Sequence, residues 1–313
     1  MISPLRWWLR RAGLGAVVLW GAATLSFLGL HLVKGDPARV IAGTGVLSGA
    51  SPQLLARISK EYGFDQPLIV QYGRFLGRLV TGDLGTSYQR NQPVSTVIAE
   101  QLGPTVSLAA GAAVLGFGLA LALAVSTAGR PRARAIFSTL ELALVSTPGF
   151  WIGMLLLTVF SFRLHWFPVL GNDGIGALIL PWVTLALPIA GTLALVMRDG
   201  LERALDEPFA LTVRARGATA TKLRLRHALR HALLPVLTLS GWTLGTLLGG
   251  VVVVETVFAR GGIGQVAVTA VTGRDLPVVT GVVLVATTAF VVINTGLDAL
   301  YRVVDPRLRE GPA

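Results

Sequence analysis

Residues 103–128, GPTVSLAAGAAVLGFGLALALAVSTA, form an apolar run without a single charged side chain. The run exceeds the roughly 20 residues that a helix needs to cross about 30 Å of hydrocarbon. This run and five other apolar segments of the chain are continuous rather than alternating, which predicts helices and not a β-barrel. We therefore expect an all-α polytopic membrane protein with six transmembrane helices. The other five apolar segments lie at about 12–33, 135–160, 178–198, 236–257 and 278–300.

The composition of the whole chain agrees with this class. Hydrophobic residues make up 53% of the sequence and charged residues only 14%, with a mean hydropathy of +0.67. A water-soluble domain of this length would need far more polar surface. Cysteine is absent, so disulfides and thiolate metal sites are excluded. We expect this chain to bind no cofactor and no metal.

The orientation follows from the basic residues, because short cytoplasmic loops are enriched in Lys and Arg. Most of the 27 Lys and Arg fall on one side, between alternate spans and at both termini. This arrangement predicts cytoplasmic N- and C-termini in a cell membrane. It also explains the net charge of +11 better than nucleic-acid binding does, because the basic residues are scattered over separate loops.

Three segments outside the spans have recognisable character. Residues 1–11 mix Trp with Arg, which indicates an interfacial segment on the cytoplasmic side. The first span, 12–33, is too long for a signal-peptide core and should remain as an anchor. Segment 34–100 is expected to be extracytoplasmic and to contain amphipathic helices, either capping the bundle or receiving an external partner. Residues 303–313 are the expected cytoplasmic tail.

A polar loop at 199–235 separates the fourth and fifth spans. Its core, DEPFALTVRARG at 206–217, predicts a short helix that starts at an acidic residue followed by Pro and ends at Gly217. Thr219 or Thr221 then caps a second, basic helix that runs to Leu234-Pro235. Charge alternating with Ala and Leu in this hinged pair favours docking to a cytoplasmic partner over a merely solvated loop.

Several residues within or next to the spans are candidates for packing or gating. Glycines at spacing four, Gly241, Gly245 and Gly249, predict a close helix interface within the chain or with a second subunit. Glu255 ends the same span and is either a functional group or an interfacial residue satisfied by loop amides. The Pro148-Gly149 pair predicts a break in the third span.

The strings TVRARG at 212–217 and RHALRHALLPV at 226–236 resemble the EAA coupling loop of bacterial ATP-binding-cassette importer permeases. The specific resemblance is to the dipeptide, oligopeptide and nickel permease branch. Further matching pieces run in order along almost the whole chain: GDPA at 35–38, DQP at 65–67, GDLG at 82–85, ETVF at 255–258, RDLPVV at 274–279 and DPR at 305–307. The chain departs from the family where Gly261-Gly262 stands in place of proline-glycine.

The resemblance implies a type I ABC importer permease fold, with the permease domain at 95–302. It implies a non-enzymatic transport subunit, with ATP and Mg²⁺ bound by separate ATPase subunits. The implied partners are a second homologous permease, two cytoplasmic ATPases, an extracytoplasmic substrate-binding protein and membrane lipid. It also implies a coupling role for the loop residues Glu207, Thr212, Arg214, Ala215, Arg216, Gly217, Arg224 and Arg226, and an outer-gate role for Glu255, Arg274 and Asp275.

Other functions have weaker support. The chain has no Gly-x-x-x-x-Gly-Lys-Ser/Thr loop, so it is not the ATPase itself. His227 and His231 lack the glutamate of a His-Glu-x-x-His motif, which argues against a membrane metalloenzyme. An ion-coupled secondary transporter would need inverted repeats or buried carboxylates for ion coupling. Within the permease branch, short peptides are the leading substrate expectation, and nickel or a metal–chelator complex is the alternative.

Overall fold

The computed structural model describes residues 4–32, 37–42, 51–169 and 174–304. Within these ranges the chain is helical, without a β-strand, and a single isolated bridge pairs Thr86 with Pro93. The all-α expectation is confirmed. The helices are α1 Pro4–Leu32, α2 Pro37–Ile41, α3 Pro52–Tyr62, α4 Leu68–Val80, α5 Val94–Thr127, α6 Pro131–Ser146, α7 Gly149–Leu156, α8 Gly176–Asp206, α9 Pro208–Ala215, α10 Ala220–Lys222, α11 Leu229–Val257, α12 Ile263–Thr272 and α13 Leu276–Val304.

Five helices in the described ranges are long and apolar enough to cross a membrane, namely α1, α5, α8, the continuous stretch 220–257 and α13. The pair α6 and α7 supplies a sixth span if it is counted as one, but it bends by 103° between Ser146 and Gly149. Pro148 explains the bend, because its ring cannot continue the preceding helix. The break that Pro148-Gly149 predicts in the third span, at 135–160, is therefore confirmed.

The ends of several elements differ from those expected. α1 begins at Pro4, so residues 4–11 of the expected interfacial segment belong to the first span's own helix. α5 begins at Val94 and runs unbroken through Pro104, ahead of the expected start at 103. Hydropathy marks where a helix is apolar, whereas the helix itself extends into polar sequence beyond the bilayer. Residues 305–313 of the expected tail lie outside the described residues.

Two helices in the segment between α1 and α5 form as their sequence predicts. Ser51 caps α3, its side chain accepting a hydrogen bond from the Leu54 amide at 3.3 Å, and Pro52 occupies the first turn. Gly63 ends α3 in the left-handed conformation, with φ of 72°. The amphipathic helix expected from Pro67 to Val80 is α4. Its ring side chains Tyr72 and Phe75 lie against Phe27 of α1.

The chain divides into two compact units. The first comprises residues 104–261 together with the last part of α13 and contains the larger hydrophobic core, in which α8 packs against α6, α7 and α11. The second comprises residues 3–103 and 262–291 and has its own core. That core joins the start of α5 to α12 and the start of α13 through Val94, Ile263 and Val278.

Candidate functional site

The predicted docking element is α9, which a single residue joins to the membrane helix α8. α8 ends at Asp206, and Glu207 is extended, with φ of −70° and ψ of 149°. Pro208 then starts α9, where a missing amide hydrogen costs nothing. Only one extended residue therefore separates the two helices.

One face of α9 is fixed to the rest of the first unit. The Phe209 ring stacks on the His231 imidazole, with centroids 5.1 Å apart and planes inclined by 17°. Ala210 beside it is buried. The sequence did not single out this anchor, although an aromatic pair bracketing a hinged loop is a signal that could have revealed it.

The opposite face of α9 is open. The Leu211 side chain is 72% exposed, although the preceding residue, Ala210, is buried. A leucine this exposed leaves most of its apolar side chain in contact with solvent. Thr212, Arg214 and Ala215, all predicted coupling residues, are exposed beside it. This combination of an apolar centre with a basic flank is typical of a surface that receives a protein partner.

The hinge that follows α9 forms as the sequence predicts. Gly217 adopts a positive φ of 78°, and its amide donates to the carbonyl of Arg214 at 2.9 Å. Thr219 is the cap of the next helix, its Oγ1 accepting from the Lys222 amide at 3.3 Å. Of the two threonines considered, the structure therefore selects Thr219.

The second part of the loop is not a separate helix. α10, a π-helical turn at Leu223–Ala228 and α11 form one continuous rod from Ala220 to Val257. The rod passes through Pro235 without ending. The expected boundary between a loop helix and the fifth span at 235 is thus corrected. A helix that packs against its neighbours can contain a π-helical turn and a proline without ending.

Arg224 departs from the expected coupling surface. It is buried, and its Nη2 lies 3.6 Å from the position of a Cβ built on Gly129 at the end of α5. The other predicted loop cations, Arg214, Arg216 and Arg226, are exposed, as is Glu207. Arg224 therefore packs within its own unit rather than facing outward, since it lies with Leu223 and Ala228 on the buried side of the π-helical turn.

A buried ion pair above the coupling element escaped the sequence analysis. Arg198 of α8 pairs with Glu141 of α6, and both side chains are almost fully buried. Arg198 also donates to the Thr127 hydroxyl at 3.4 Å, which joins the end of α5 to the pair. Arg198 stands one residue before the expected loop and lies within α8. Its only sequence signal was an acidic residue in a span together with a basic residue at the end of another.

The first unit also contains Glu255, one of the predicted outer-gate residues. Glu255 is completely buried near the end of α11 and accepts a hydrogen bond from Thr105 of α5 at 2.7 Å. Arg260 follows in the adjacent loop and is nearly buried. Burial lowers the pKa of its guanidinium, and the Glu255 carboxylate partly offsets that effect.

The other two predicted gate residues belong to the second unit. The Asp275 carboxylate is buried and accepts hydrogen bonds from the Ser87 hydroxyl and from the amides of Tyr88, at 3.1 Å, and Gln89, at 3.3 Å. Arg274 adopts a positive φ of 54° just before it. Asp275 thus ties the loop before α13 to the turn that precedes α5.

The glycines of the predicted stripe differ in what they face within the chain. A Cβ built on Gly250 would lie 3.1 Å from Leu185 of α8, whereas one on Gly249 would meet no described atom within 4 Å. A Cβ on Gly241 would lie 3.3 Å from Asn294 of α13. Gly200 of α8 lies close to the backbone of α11, where a Cβ would lie 2.9 Å from the Cα of Ala232. Of the predicted stripe, Gly241 therefore faces α13 within the chain, and Gly249 does not meet a described helix.

Known proteins match this chain in both sequence and fold. The family model described as "Binding-protein-dependent transport system inner membrane component" matches residues 105–310, and the corresponding N-terminal model matches residues 4–109. The inward-facing MetNI methionine ABC transporter has a similar fold, with a TM-score of 0.51 and 22% identity. That match covers 65% of this chain and 92% of the other.

Curated relatives extend over nearly the whole length. A provisionally named peptide transport system permease protein of Brucella abortus is 40% identical, over 96% of this chain and 98% of its own. The glutathione transport system permease protein GsiC of Salmonella paratyphi A is 38% identical, over 92% of this chain and 93% of its own. The chain therefore belongs to the family of inner-membrane components of binding-protein-dependent transport systems, as a multi-pass permease subunit of an ABC importer.

Proposed function

We propose that this permease subunit forms half of a translocation pathway for short peptides. The observation that carries the substrate class is the full-length similarity to a peptide transport permease and to a glutathione permease, since glutathione is itself a small peptide. The family works with ATPase subunits and a substrate-binding protein. The chain supplies a path and a mechanical link and is not itself an enzyme.

The substrate proposal is tested with the importer reconstituted into proteoliposomes together with its ATPases and binding protein. We expect ATP-dependent uptake of labelled di- or oligopeptides that requires the binding protein. Uptake of Ni²⁺ or of a metal chelate under the same conditions, without uptake of peptides, would overturn the assignment.

We further propose that the exposed face of α9 docks on a cytoplasmic ATPase, with both chain termini on the same side of the membrane. Three features support this surface: the anchoring of Phe209 and Ala210, the exposure of Leu211 and the single-residue link to α8. Arg214 and Arg216 flank the apolar centre and would steer an acidic partner. The predicted coupling residue Arg224 is buried and is not part of this surface.

Replacement of the apolar centre tests the docking proposal. Leu211→Glu should lower peptide-stimulated ATP hydrolysis about tenfold or more, because a buried interface tolerates an unpaired charge poorly. The exposed variant Arg132→Glu, in the first turn of α6, serves as a control for added negative charge and should keep its activity. Equal activity of both variants would contradict docking through α9.

We propose a second, homologous permease as the partner within the membrane. Gly249 is exposed, and no described atom would touch a Cβ there, which leaves room for the close approach of another helix. Gly245 lies one turn earlier on the same face of α11. Heterodimer formation is tested by co-purification of two differently tagged permease chains.

A further inference from the structure

A cavity of about 790 Å³ in the second unit is unrelated to the coupling surface. Its walls come from the end of α1, the segment between α3 and α4, α4 itself, the turn at 81–88 and the start of α13. All of these belong to the same compact unit. The volume is ample for part of an amphiphilic molecule.

The position of α4 sets the depth of this cavity. The Thr24 and Tyr72 hydroxyls are 2.8 Å apart, and the Phe27 ring lies 5.2 Å from the Tyr72 ring. α1 ends at Leu32. Thr24 is thus eight residues, or about 12 Å, before the end of this helix. α4 therefore lies at the membrane surface beside the last turns of α1.

The outer face of α4 agrees with that depth. Leu68 is 59% exposed, Ile69 75% and Val80 88%. An amphipathic helix with exposed aliphatic side chains, packed against the end of a span, lies in the headgroup layer. The cavity beside it consequently opens at the level of lipid phosphates.

Two cations line the cavity at this level. Arg74 and Arg78 are one turn apart on α4, and no residue in the described ranges forms an ion pair or hydrogen bond with either side chain. Paired guanidinium groups are suited to phosphate recognition. The acidic lining residue Asp83 uses Oδ1 to accept the Gly85 amide at 2.8 Å.

Other lining groups complete an amphiphilic site. Tyr88 faces the cavity with a hydroxyl that can donate a hydrogen bond. The apolar walls include Phe27, Phe75 and Leu276. A charged polar end and an aromatic body at headgroup depth match a phospholipid in both chemistry and position.

We propose that this cavity binds a membrane phospholipid, with its phosphate on Arg74 and Arg78 and the start of an acyl chain along Phe27 and Phe75. The site then fixes α4 to the bilayer surface independently of the substrate path. A free peptide would present a carboxylate to the same arginines, but a water-soluble peptide is not concentrated in the headgroup layer beside α1.

The test uses the complete importer in vesicles that contain phosphatidylglycerol with a photoactivatable acyl chain. Cross-links should map by mass spectrometry to the ends of α1 and α4. The double variant Arg74→Glu with Arg78→Glu should lower this labelling about tenfold, equivalent to the loss of roughly 1.4 kcal/mol of binding. The matched control Arg57→Glu with Lys60→Glu reverses two exposed charges on α3 outside the cavity and should leave labelling unchanged.

A second pair of variants does not depend on charge. Gly77 lines the cavity, Gly73 does not, and a Cβ on either would meet no described atom within 4 Å. Gly77→Leu should therefore occupy the cavity and suppress labelling, whereas Gly73→Leu should preserve it. Equal labelling in all variants, or displacement of the lipid by excess peptide, would overturn the proposal.

Discussion

One buried ion pair of the first unit, between Glu141 and Arg198, joins α6 to α8, and the Thr127 hydroxyl links it to α5. Removing one partner of such a pair leaves the other charge without compensation, whereas removing both does not. The Glu141 Oε1 atom has no hydrogen-bond partner in the described part of the chain, which increases the cost of holding this carboxylate. Stability is therefore expected to depend on the pair more than on either residue.

We predict that Glu141→Gln lowers the free energy of unfolding by about 3–5 kcal/mol, because Arg198 then becomes an unpaired buried cation. The double variant Glu141→Leu with Arg198→Met should recover most of this loss. Thermal unfolding of the detergent-purified chain measures both. Arg203→Met removes an exposed pair with Asp199 and should change stability by less than about 1 kcal/mol. A double variant no more stable than the single one would refute the pairing argument.

Tyr88 should make the stability of the second unit depend on pH. Burial raises its pKa from 10.0 to about 12, so the folded chain keeps a proton that the unfolded chain loses. This contribution is complete below pH 10 and declines as the pH rises to 12, by up to about 1.4 kcal/mol per pH unit. Tyr88→Phe should flatten the fall in melting temperature between pH 10 and 12. An unchanged slope would mean that other groups cause it.

At the scale of single elements, α9 and the rod from Ala220 to Val257 meet at Gly217. The positive φ of this residue is strained for most side chains, although nothing described lies within 4 Å of a Cβ there. Any effect of substitution must therefore come from the backbone rather than from a steric clash.

Gly217→Val should distort the hinge at a cost of about 1–2 kcal/mol and reduce coupled ATP hydrolysis, while the chain still inserts into the membrane. Gly217→Asn is the matched control, because asparagine adopts the left-handed conformation more readily. Peptide-stimulated ATPase activity of the reconstituted importer separates the two variants. Similar activities would show that hinge geometry is not important for coupling.

Substitutions of glycines in α8 and α11 distinguish packing within the chain from association with a second permease. Gly200→Leu should force α8 away from Ala232 and destabilise the chain by about 1–3 kcal/mol. Gly249→Leu should leave the melting temperature of the isolated chain unchanged and reduce co-purification of a second permease. If Gly249→Leu destabilises the isolated chain instead, Gly249 packs inside the subunit.

Local chemistry explains what the sequence could predict about these elements. A glycine hinge, a threonine cap and a proline-containing first turn depend on neighbouring residues alone, so Gly217 and Pro208 were assigned correctly and the cap was narrowed to Thr219 or Thr221. The burial of Arg224 and the pairing of Glu141 with Arg198 depend on helices brought together by tertiary packing. Glycine spacing likewise gives the period of a stripe, but helix rotation decides that Gly250, not Gly249, faces α8.

For the whole molecule, the family and the fold agree on a permease subunit, and the long apolar runs were sufficient to predict its class. The resemblance of the loop to a coupling motif pointed to the same family as the full-length relatives. What the sequence could not show is which face of α9 is free, because that depends on the Phe209–His231 stack.

Site-directed photocross-linking tests the coupling claim most directly, because the chain contains no cysteine of its own. A benzophenone attached to Leu211→Cys should cross-link to the ATPase subunit in the assembled importer, whereas Ala210→Cys, on the buried face of the same helix, should not. Cross-linking from residue 211 is expected to change with ATP. If residue 211 labels only lipid or this chain while the importer remains active, α9 is not the coupling surface.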